Sequence, residues 1–84
     1  MAKIVIAKQL GGKRVITNEG EDVGKVVDLI VHEQTGKIQS ILVEANPDNE
    51  KFRSLPQEDG LLSIPFEAVL AAADYIIIDK KNIR

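Results

Sequence analysis

The chain has no cysteine and no tryptophan, and its only histidine is His32. Without cysteine it can form neither a disulfide nor a thiolate metal site. A single histidine leaves few nitrogen ligands for a transition metal. The sequence therefore predicts no metal centre and no cofactor.

A strong excess of one charge is also absent, because 11 basic residues are balanced by 13 acidic ones for a net charge of −2. Nucleic-acid-binding domains usually carry a clustered basic patch, so nucleic acid is not expected as a partner. No apolar run approaches the roughly 20 residues that span a bilayer, and residues 1–8 lack the apolar core of a signal peptide. We expect a soluble, cytoplasmic protein with no direct membrane insertion.

The length of 84 residues suffices for one domain. A domain of this size buries about 60% of the surface that its unfolded chain exposes, and one such core supplies roughly 3–5 kcal/mol of net stability. Small proteins often compensate with disulfides, metals or self-association. Because the first two are excluded, we expect a homodimer.

Valine and isoleucine mark the strands. Residues 23–32 and 37–45 are rich in both, and Gly36 between them can adopt the left-handed conformation that closes a short hairpin loop. We therefore predict a β-hairpin here. Four shorter strands are predicted at residues 3–6, 14–17, 61–64 and 75–79.

Side-chain alternation along the hairpin predicts an unusual outer face. Strict alternation places Val27, Leu29 and Val31 on one face of the first arm. It places Val26, Asp28, Ile30 and His32 on the other, which is mixed in character. A mixed outer face suits a curled sheet or barrel that is partly covered by a partner or by loops.

Three remaining segments carry less regular signals. Residues 46–60 form a long polar connection whose only large apolar residues are Phe52 and Leu55. These two either fold back on the barrel or contact a partner. Residues 65–74 favour one helical turn or an extended strand. Residues 1–79 are expected to be the domain, with 80–84 as a basic, flexible tail.

The order of these segments resembles the PRC-barrel family, named for a domain of the photosynthetic reaction-centre H subunit. An opening signature, a hairpin turn and a closing portion carry the resemblance, and together they cover nearly the whole chain. They are Gly12-Lys13-Arg14-Val15 with residues 19–28, then Thr35-Gly36-Lys37-Ile38, then residues 64–69 and 74–78.

The resemblance implies a mainly β fold, a small PRC-type β-barrel of about six short strands with at most one or two short helical turns. It implies frequent dimerisation and no shared active site. Five residues are expected to determine the shape through turns, a polar strand position and a strand end: Gly20, Gly24, Asp28, Gly36 and Pro65.

The residues that could carry catalysis or bind a metal or phosphate are better explained by structural roles. His32 has no evident partner for catalysis or metal binding. The loop carboxylates of Glu19, Glu21 and Asp22 could hold a divalent cation, but they lack the spacing of an EF-hand. Residues 11–13 lack the full phosphate-loop pattern. We predict no catalytic residues and hence no enzyme.

The leading hypothesis is a homodimeric adaptor that binds another protein, within a cell-division or membrane-associated assembly. The resemblance supplies this context, since some stand-alone archaeal members of similar length are linked to the tubulin-like division ring. Candidate partner contacts are Phe52, Leu55, Ile30 and His32. The alternative is an RNA- or ribosome-associated module related to the barrel of ribosome-maturation factors.

Overall fold

β-branched and other aliphatic residues build seven strands in the computed structural model, which describes residues 11–52 and 54–82. The strands are β1 Arg14–Thr17, β2 Asp22–Val31, β3 Ile38–Ala45, β4 Gln57–Glu58, β5 Leu61–Pro65, β6 Val69–Ala72 and β7 Tyr75–Ile78. Two single 3-10 turns lie between strands, at Glu50–Phe52 and Phe66–Ala68, and a third, Lys80–Asn82, follows β7. The predicted mainly β fold is confirmed. It has three short turns instead of at most two, and the strand predicted at residues 3–6 lies outside the described residues.

All seven strands belong to one sheet with the order β4-β5-β3-β2-β1-β7-β6. Neighbouring strands are antiparallel except for β1 and β7, which are parallel and pair Arg14 with Tyr75. The described part of the sheet thus runs from an edge at β4 to an edge at β6, and closure into a barrel is not found among these residues.

One face of the curled sheet forms a single aliphatic core. β3 contributes Ile41 and Val43, and both are fully buried. The other buried members come from β1, β2, β5, β6, β7 and two of the turns: Val15, Val23, Val26, Phe52, Leu62, Ile64, Ala68, Val69, Ile76 and Ile78.

A bulge at Val27 resets the alternation of β2. Val26 pairs with Val43, and the next pair is Asp28 with Leu42, so Val27 is an extra residue. In a bulge, two residues of one strand oppose one residue of the other. The expected alternation along β2 is therefore interrupted at this point.

The bulge changes which residues face the core. Val26 and Leu29, three residues apart, both pack into it. Val27 is 51% exposed instead. The expectation that Val27 and Leu29 share a face is wrong, because strict alternation assumes an unbroken ladder.

The segments whose sequence gave no clear prediction of secondary structure form 3-10 turns and short strands. Pro65 ends β5 and precedes the 3-10 turn Phe66–Ala68, after which the chain becomes extended as β6. The loop of residues 46–60 contains another 3-10 turn and the short strand β4. Lys80–Asn82 form a third 3-10 turn. Among the described residues, no helix is long and apolar enough to cross a membrane.

Candidate protein-binding surface

The outer side of the β2–β3 hairpin forms a surface with little charge. Asp28 pairs with Leu42, and Ile30 pairs with Ser40, so each pair projects to the same side of the sheet. The exposed Val27 adjoins them. We call these five residues the hairpin surface.

Apolar atoms dominate the hairpin surface. Val27 presents half of its side chain to solvent, and Ile30 is partly exposed. Leu42 is only 8% exposed, although it projects from the side of β3 opposite to Ile41 and Val43. Val31 is 44% exposed at the end of β2, but it pairs with Ile38, which packs against the core, so it lies on the other side of the sheet. Exposed aliphatic side chains next to one another are typical of a contact for another protein.

The only charged member of the hairpin surface is Asp28. Its Oδ1 accepts a hydrogen bond of 2.8 Å from the backbone N–H of Leu29. The carboxylate therefore satisfies a backbone donor next to the bulge. Since the centres of protein interfaces are depleted in charged residues, a surface with one locally bonded carboxylate is compatible with burial against a partner.

The hairpin tip is built by backbone contacts around His32. The N–H of His32 donates to the carbonyl of Lys37 at 2.8 Å, and the N–H of Gly36 donates to the carbonyl of His32 at 2.8 Å. Gly36 has a φ of +71°, the left-handed conformation that glycine adopts most easily. His32 itself is exposed and lies beyond the distal end of the hairpin surface.

Phe52 and Leu55 do not join this surface. Phe52 is 3% exposed and belongs to the core, and Leu55 is partly buried against it. Phe52 thus folds back on the core, the first of the two alternatives that the sequence left open for it. An aromatic side chain buries a large apolar area, which is why it folds back instead of remaining in solvent.

The loop carboxylates are held by lysines. Glu21 lies 2.7 Å from Lys51 Nζ through one carboxylate oxygen and 2.7 Å from Lys80 Nζ through the other. Lys80 also lies 3.6 Å from Glu19. These pairs join the β1–β2 turn to two distant segments, the turns at Glu50–Phe52 and Lys80–Asn82. Within residues 11–52 and 54–82, no group of three or more potential ligands could hold a metal ion.

The ion pairs shift two pKa values in opposite directions. The hydrogen bond from Lys51, followed by that from Lys80, lowers the pKa of Glu21. The hydrogen bond to Glu21 raises the pKa of Lys80 against a smaller effect of desolvation. Both shifts favour the charged forms, so this cluster is a stabilising ion network.

The glycine-lysine segment near the start of the described chain has structural contacts. The N–H of Gly12 donates to the carbonyl of Val26 at 2.9 Å, and Lys13 Nζ donates to the carbonyl of Ala73. Both donors thus bond to the backbone of other segments of the chain.

A second exposed region was missed by the sequence reasoning. Tyr75 on β7 pairs with Arg14 on β1, which pairs with Lys25 on β2, so the three side chains form a row on the outer face. Tyr75 is 54% exposed, and Leu70 on β6 is 52% exposed. Leu70 is an extra residue of a bulge between Val69 and Ala71. The three isoleucines that follow Tyr75 predicted a strand and gave no sign of these exposed neighbours.

Comparison with protein families decides the relationship of the chain. The model of the PRC-barrel domain matches residues 4–82. The chain belongs to the PRC-barrel domain family.

Two proteins are similar to this chain, one in sequence and one in structure. The chain is 32% identical over 77 residues to the uncharacterized protein MJ1118 of Methanocaldococcus jannaschii, covering 92% of this chain and 83% of that protein. It also resembles the crystal structure of a putative 16S ribosomal RNA processing protein, RimM, from Pseudomonas aeruginosa, with a TM-score of 0.57 and 19% identity. That match covers 89% of this chain and 43% of the RimM chain, so the chain spans less than half of RimM.

The residues expected to shape the PRC-barrel domain lie at its turns and close contacts. Gly20 has a φ of +85° in the β1–β2 turn, and Gly24 has a φ of +152° within β2. Pro65 lies at the junction of β5 and a 3-10 turn. Asp28 bonds to the backbone beside the Val27 bulge. These four residues thus lie at a turn, a close strand contact, a strand end and a bulge.

Proposed function

We propose that this PRC-barrel protein is a non-enzymatic, homodimeric interaction module of the cytoplasm whose hairpin surface binds another protein. The observation that carries the proposal is the exposure of Val27 on the outer side of the hairpin. A bulge turns this β-branched side chain to solvent beside Ile30 and Leu42. Burying such side chains against a partner contributes about 25 cal/mol per Å² of apolar area.

The chemistry of the surface supports an adaptor role over catalysis. Its polar groups are the hydroxyl of Ser40 and the carboxylate of Asp28, and the carboxylate already accepts a backbone hydrogen bond. Nucleophilic catalysis needs a base within hydrogen-bond reach of the nucleophile. A weakly charged sheet face suits recognition of an apolar patch. The proposed setting is a cell-division or membrane-associated assembly, to which the protein is bound through its partner.

A capture experiment with matched variants tests the partner role. Tagged wild-type protein is incubated with native lysate of the source cell and retained proteins are quantified by mass spectrometry. We expect one protein in near-stoichiometric amount that is lost with Val27→Asp and kept with Asp48→Lys. Asp48 is exposed in the turn after β3 and lies outside the hairpin surface. Recovery of no stoichiometric protein, or equal recovery with both variants, would contradict the proposal.

An RNA- or ribosome-associated role is the alternative, and the row of Tyr75, Arg14 and Lys25 favours it. An exposed aromatic ring beside two basic side chains can stack on a base and contact phosphate. The relative named as a ribosomal RNA processing protein has the same fold. However, Arg14 is 2.9 Å from Asp22, and Lys25 pairs across strands with Glu44. These acidic neighbours reduce the positive potential.

Salt dependence distinguishes the alternative from the adaptor role. Binding of a labelled single-stranded RNA is measured by fluorescence anisotropy from low to physiological salt. RNA binding that persists at physiological salt, weakens as salt rises and is lost with Tyr75→Ala would favour the alternative. Absence of binding under these conditions favours the adaptor.

A further inference from the structure

Two bulges lie on opposite strands of the β2–β3 hairpin. One is Val27 on β2. The other is Gln39 on β3, where the pairing passes directly from Ser40 to Ile38. An extra residue on one strand shifts the pairing by one position, and an extra residue on the facing strand shifts it back. Only the pairs between the two bulges are therefore displaced, and the pairs on either side of them share one register.

A ladder without either bulge fits between the same flanking pairs. We call the described pairing the bulged register and the uninterrupted pairing the regular register. In the regular register, Leu42 would pair with Val27 in place of Asp28. Ile41 would then pair with Asp28 in place of Leu29. The regular register would leave no extra residue on either strand, so it would contain one more pair than the bulged register.

The sequence of β2 is compatible with both registers. A strand with a single apolar face has a strongly specified register, because a slip of one residue moves that face to solvent. β2 carries aliphatic side chains in both alternations, with Val27, Leu29 and Val31 in one and Val26 and Ile30 in the other. A slip therefore exchanges one aliphatic set for another, and the hydrophobic pattern alone does not fix the register.

Asp28 and Leu29 select the bulged register. In that register Asp28 projects outward and its Oδ1 accepts the hydrogen bond of 2.8 Å from the N–H of Leu29. In the regular register Asp28 would turn toward the core beside Ile41, which is 0% exposed. Burying a charge without a partner is costly, and Leu29 would leave the core against which it packs.

We propose that the β2–β3 hairpin is a two-register switch of the hairpin surface, held in the bulged register by Asp28. In the regular register the outer face of β2 would carry Val27, Leu29 and Val31 and no charge. A partner with an aliphatic patch would bind this uncharged face more tightly and shift the population toward it, since a ligand shifts an equilibrium by its differential affinity for the two states. This regulatory role rests on the proposed function, whereas the two registers are a property of the chain alone.

Thermal unfolding of a double variant tests the two registers. Leu29→Asp puts a charge on the core side in the bulged register, and Asp28 takes that side in the regular register, so the single variant is unfavourable in both. Adding Asp28→Val removes the inward charge from the regular register only. We therefore expect Leu29→Asp to have a much lower Tm than wild type or to fail to fold, and Asp28→Val/Leu29→Asp to recover most of the loss.

A matched control separates a change of register from a general gain in strand propensity. Ser40→Val/Leu29→Asp also adds a valine to the outer side of the hairpin, because Ser40 pairs with the outward Ile30. It leaves the inward charge in place in both registers, so it should remain as unstable as Leu29→Asp. A double variant Asp28→Val/Leu29→Asp that is no more stable than this control would overturn the proposal.

Nuclear magnetic resonance identifies the register directly. Cross-strand backbone NOEs should join residue 28 to Leu42 in wild type and residue 27 to Leu42 in Asp28→Val/Leu29→Asp. Saturation-transfer experiments on wild type should detect a minor state with the chemical shifts of that double variant at residues 28–31 and 38–39. Asp28→Val alone should increase its population. Wild-type NOEs in the double variant, or no increase with Asp28→Val, would overturn the switch.

The capture experiment described above tests the regulatory role separately. Asp28→Val should retain more of the partner than wild type, because it favours the uncharged face. Asp28→Val/Leu29→Asp should retain less, because it places a carboxylate on that face. Unchanged or lower recovery with Asp28→Val would overturn the regulatory role. The measurements on the isolated protein involve no partner, so their failure is distinguishable from the loss of binding that Val27→Asp tests.

Discussion

Gly24 and Glu44 approach each other so closely across β2 and β3 that a Cβ atom on Gly24 would lie 2.0 Å from the carbonyl oxygen of Glu44. Gly24 also has a φ of +152°, a conformation that other residues rarely adopt. Two independent constraints therefore require glycine in the middle of this strand.

Replacing Gly24 by alanine should destabilise the protein by about 3 kcal/mol or more, because the backbone of β3 must move to admit the methyl group. Urea denaturation at equilibrium measures the change. Gly36→Ala is the matched control, since Gly36 also has a positive φ but open space around its Cβ position. It should cost about 1–2 kcal/mol. An equal loss of stability in the two variants would show that the backbone at Glu44 can move to admit the methyl group at little cost.

Deleting Val27 should leave the core face of β2 intact. Deletion removes the extra residue of the bulge, so Val26 and Leu29 become two residues apart, and regular alternation keeps both on the core side. We expect the deletion variant to fold, with a loss of roughly 1–3 kcal/mol. Val27→Thr keeps the bulge and should cost less than about 0.5 kcal/mol. Thermal unfolding compares the two variants, and failure of the deletion variant to fold would contradict this account of the bulge.

The buried hydroxyl of Thr17 should stabilise the β1–β2 turn. Its Oγ1 accepts the backbone N–H of Glu19 at 3.2 Å and that of Glu21 at 3.1 Å. Thr17→Val removes the acceptor without changing the shape and should cost about 1–3 kcal/mol. Amide exchange at Glu19 and Glu21 should accelerate in this variant and stay slow in Thr17→Ser, which retains the hydroxyl. Unchanged exchange with valine would show that the hydroxyl is dispensable.

The ion network should make stability depend on pH in a defined direction. The pKa of Glu21 is lower in the folded protein than its ordinary value of 4.5, so its contribution is present above that value and is lost as pH falls through the folded pKa. The raised pKa of Lys80 gives a contribution that is present below 10.5 and is lost at higher pH.

Glu21→Gln tests this dependence. The difference in Tm between wild type and variant should be positive at neutral pH and should shrink toward zero on acidification below about 4.5. It should also shrink with added salt, because the lysines and Glu21 are near the surface. A difference that stays constant down to pH 2 would show that charge on Glu21 does not contribute.

Local sequence signals predicted the hairpin well. Clustered valine and isoleucine identified β2 and β3, and Gly36 identified the loop between them. The bulges could not be predicted, because Val27 and Leu70 have the same chemistry as their buried neighbours. Which of several adjacent aliphatic residues becomes the extra one depends on the register of the partner strand.

The candidate site was predicted only in part for the same reason. Ile30 and His32 lie on or next to the hairpin surface, where the sequence placed a mixed outer face. Phe52 turned inward because its loop reaches the core, a long-range outcome that the polar loop sequence does not encode. The exposure of Tyr75 depends on its row with Arg14 and Lys25, which exists only once distant strands have paired.

The parallel pairing of β1 and β7 joins the two ends of the described chain. At this junction the Lys13 Nζ donates a hydrogen bond to the backbone carbonyl of Ala73, 60 residues away in the sequence. During synthesis, β1 leaves the ribosome early but obtains its second neighbour only when β7 has emerged. The sheet is therefore completed only after β7 has been synthesised, and until then one edge of β1 lacks the neighbour that it has in the fold.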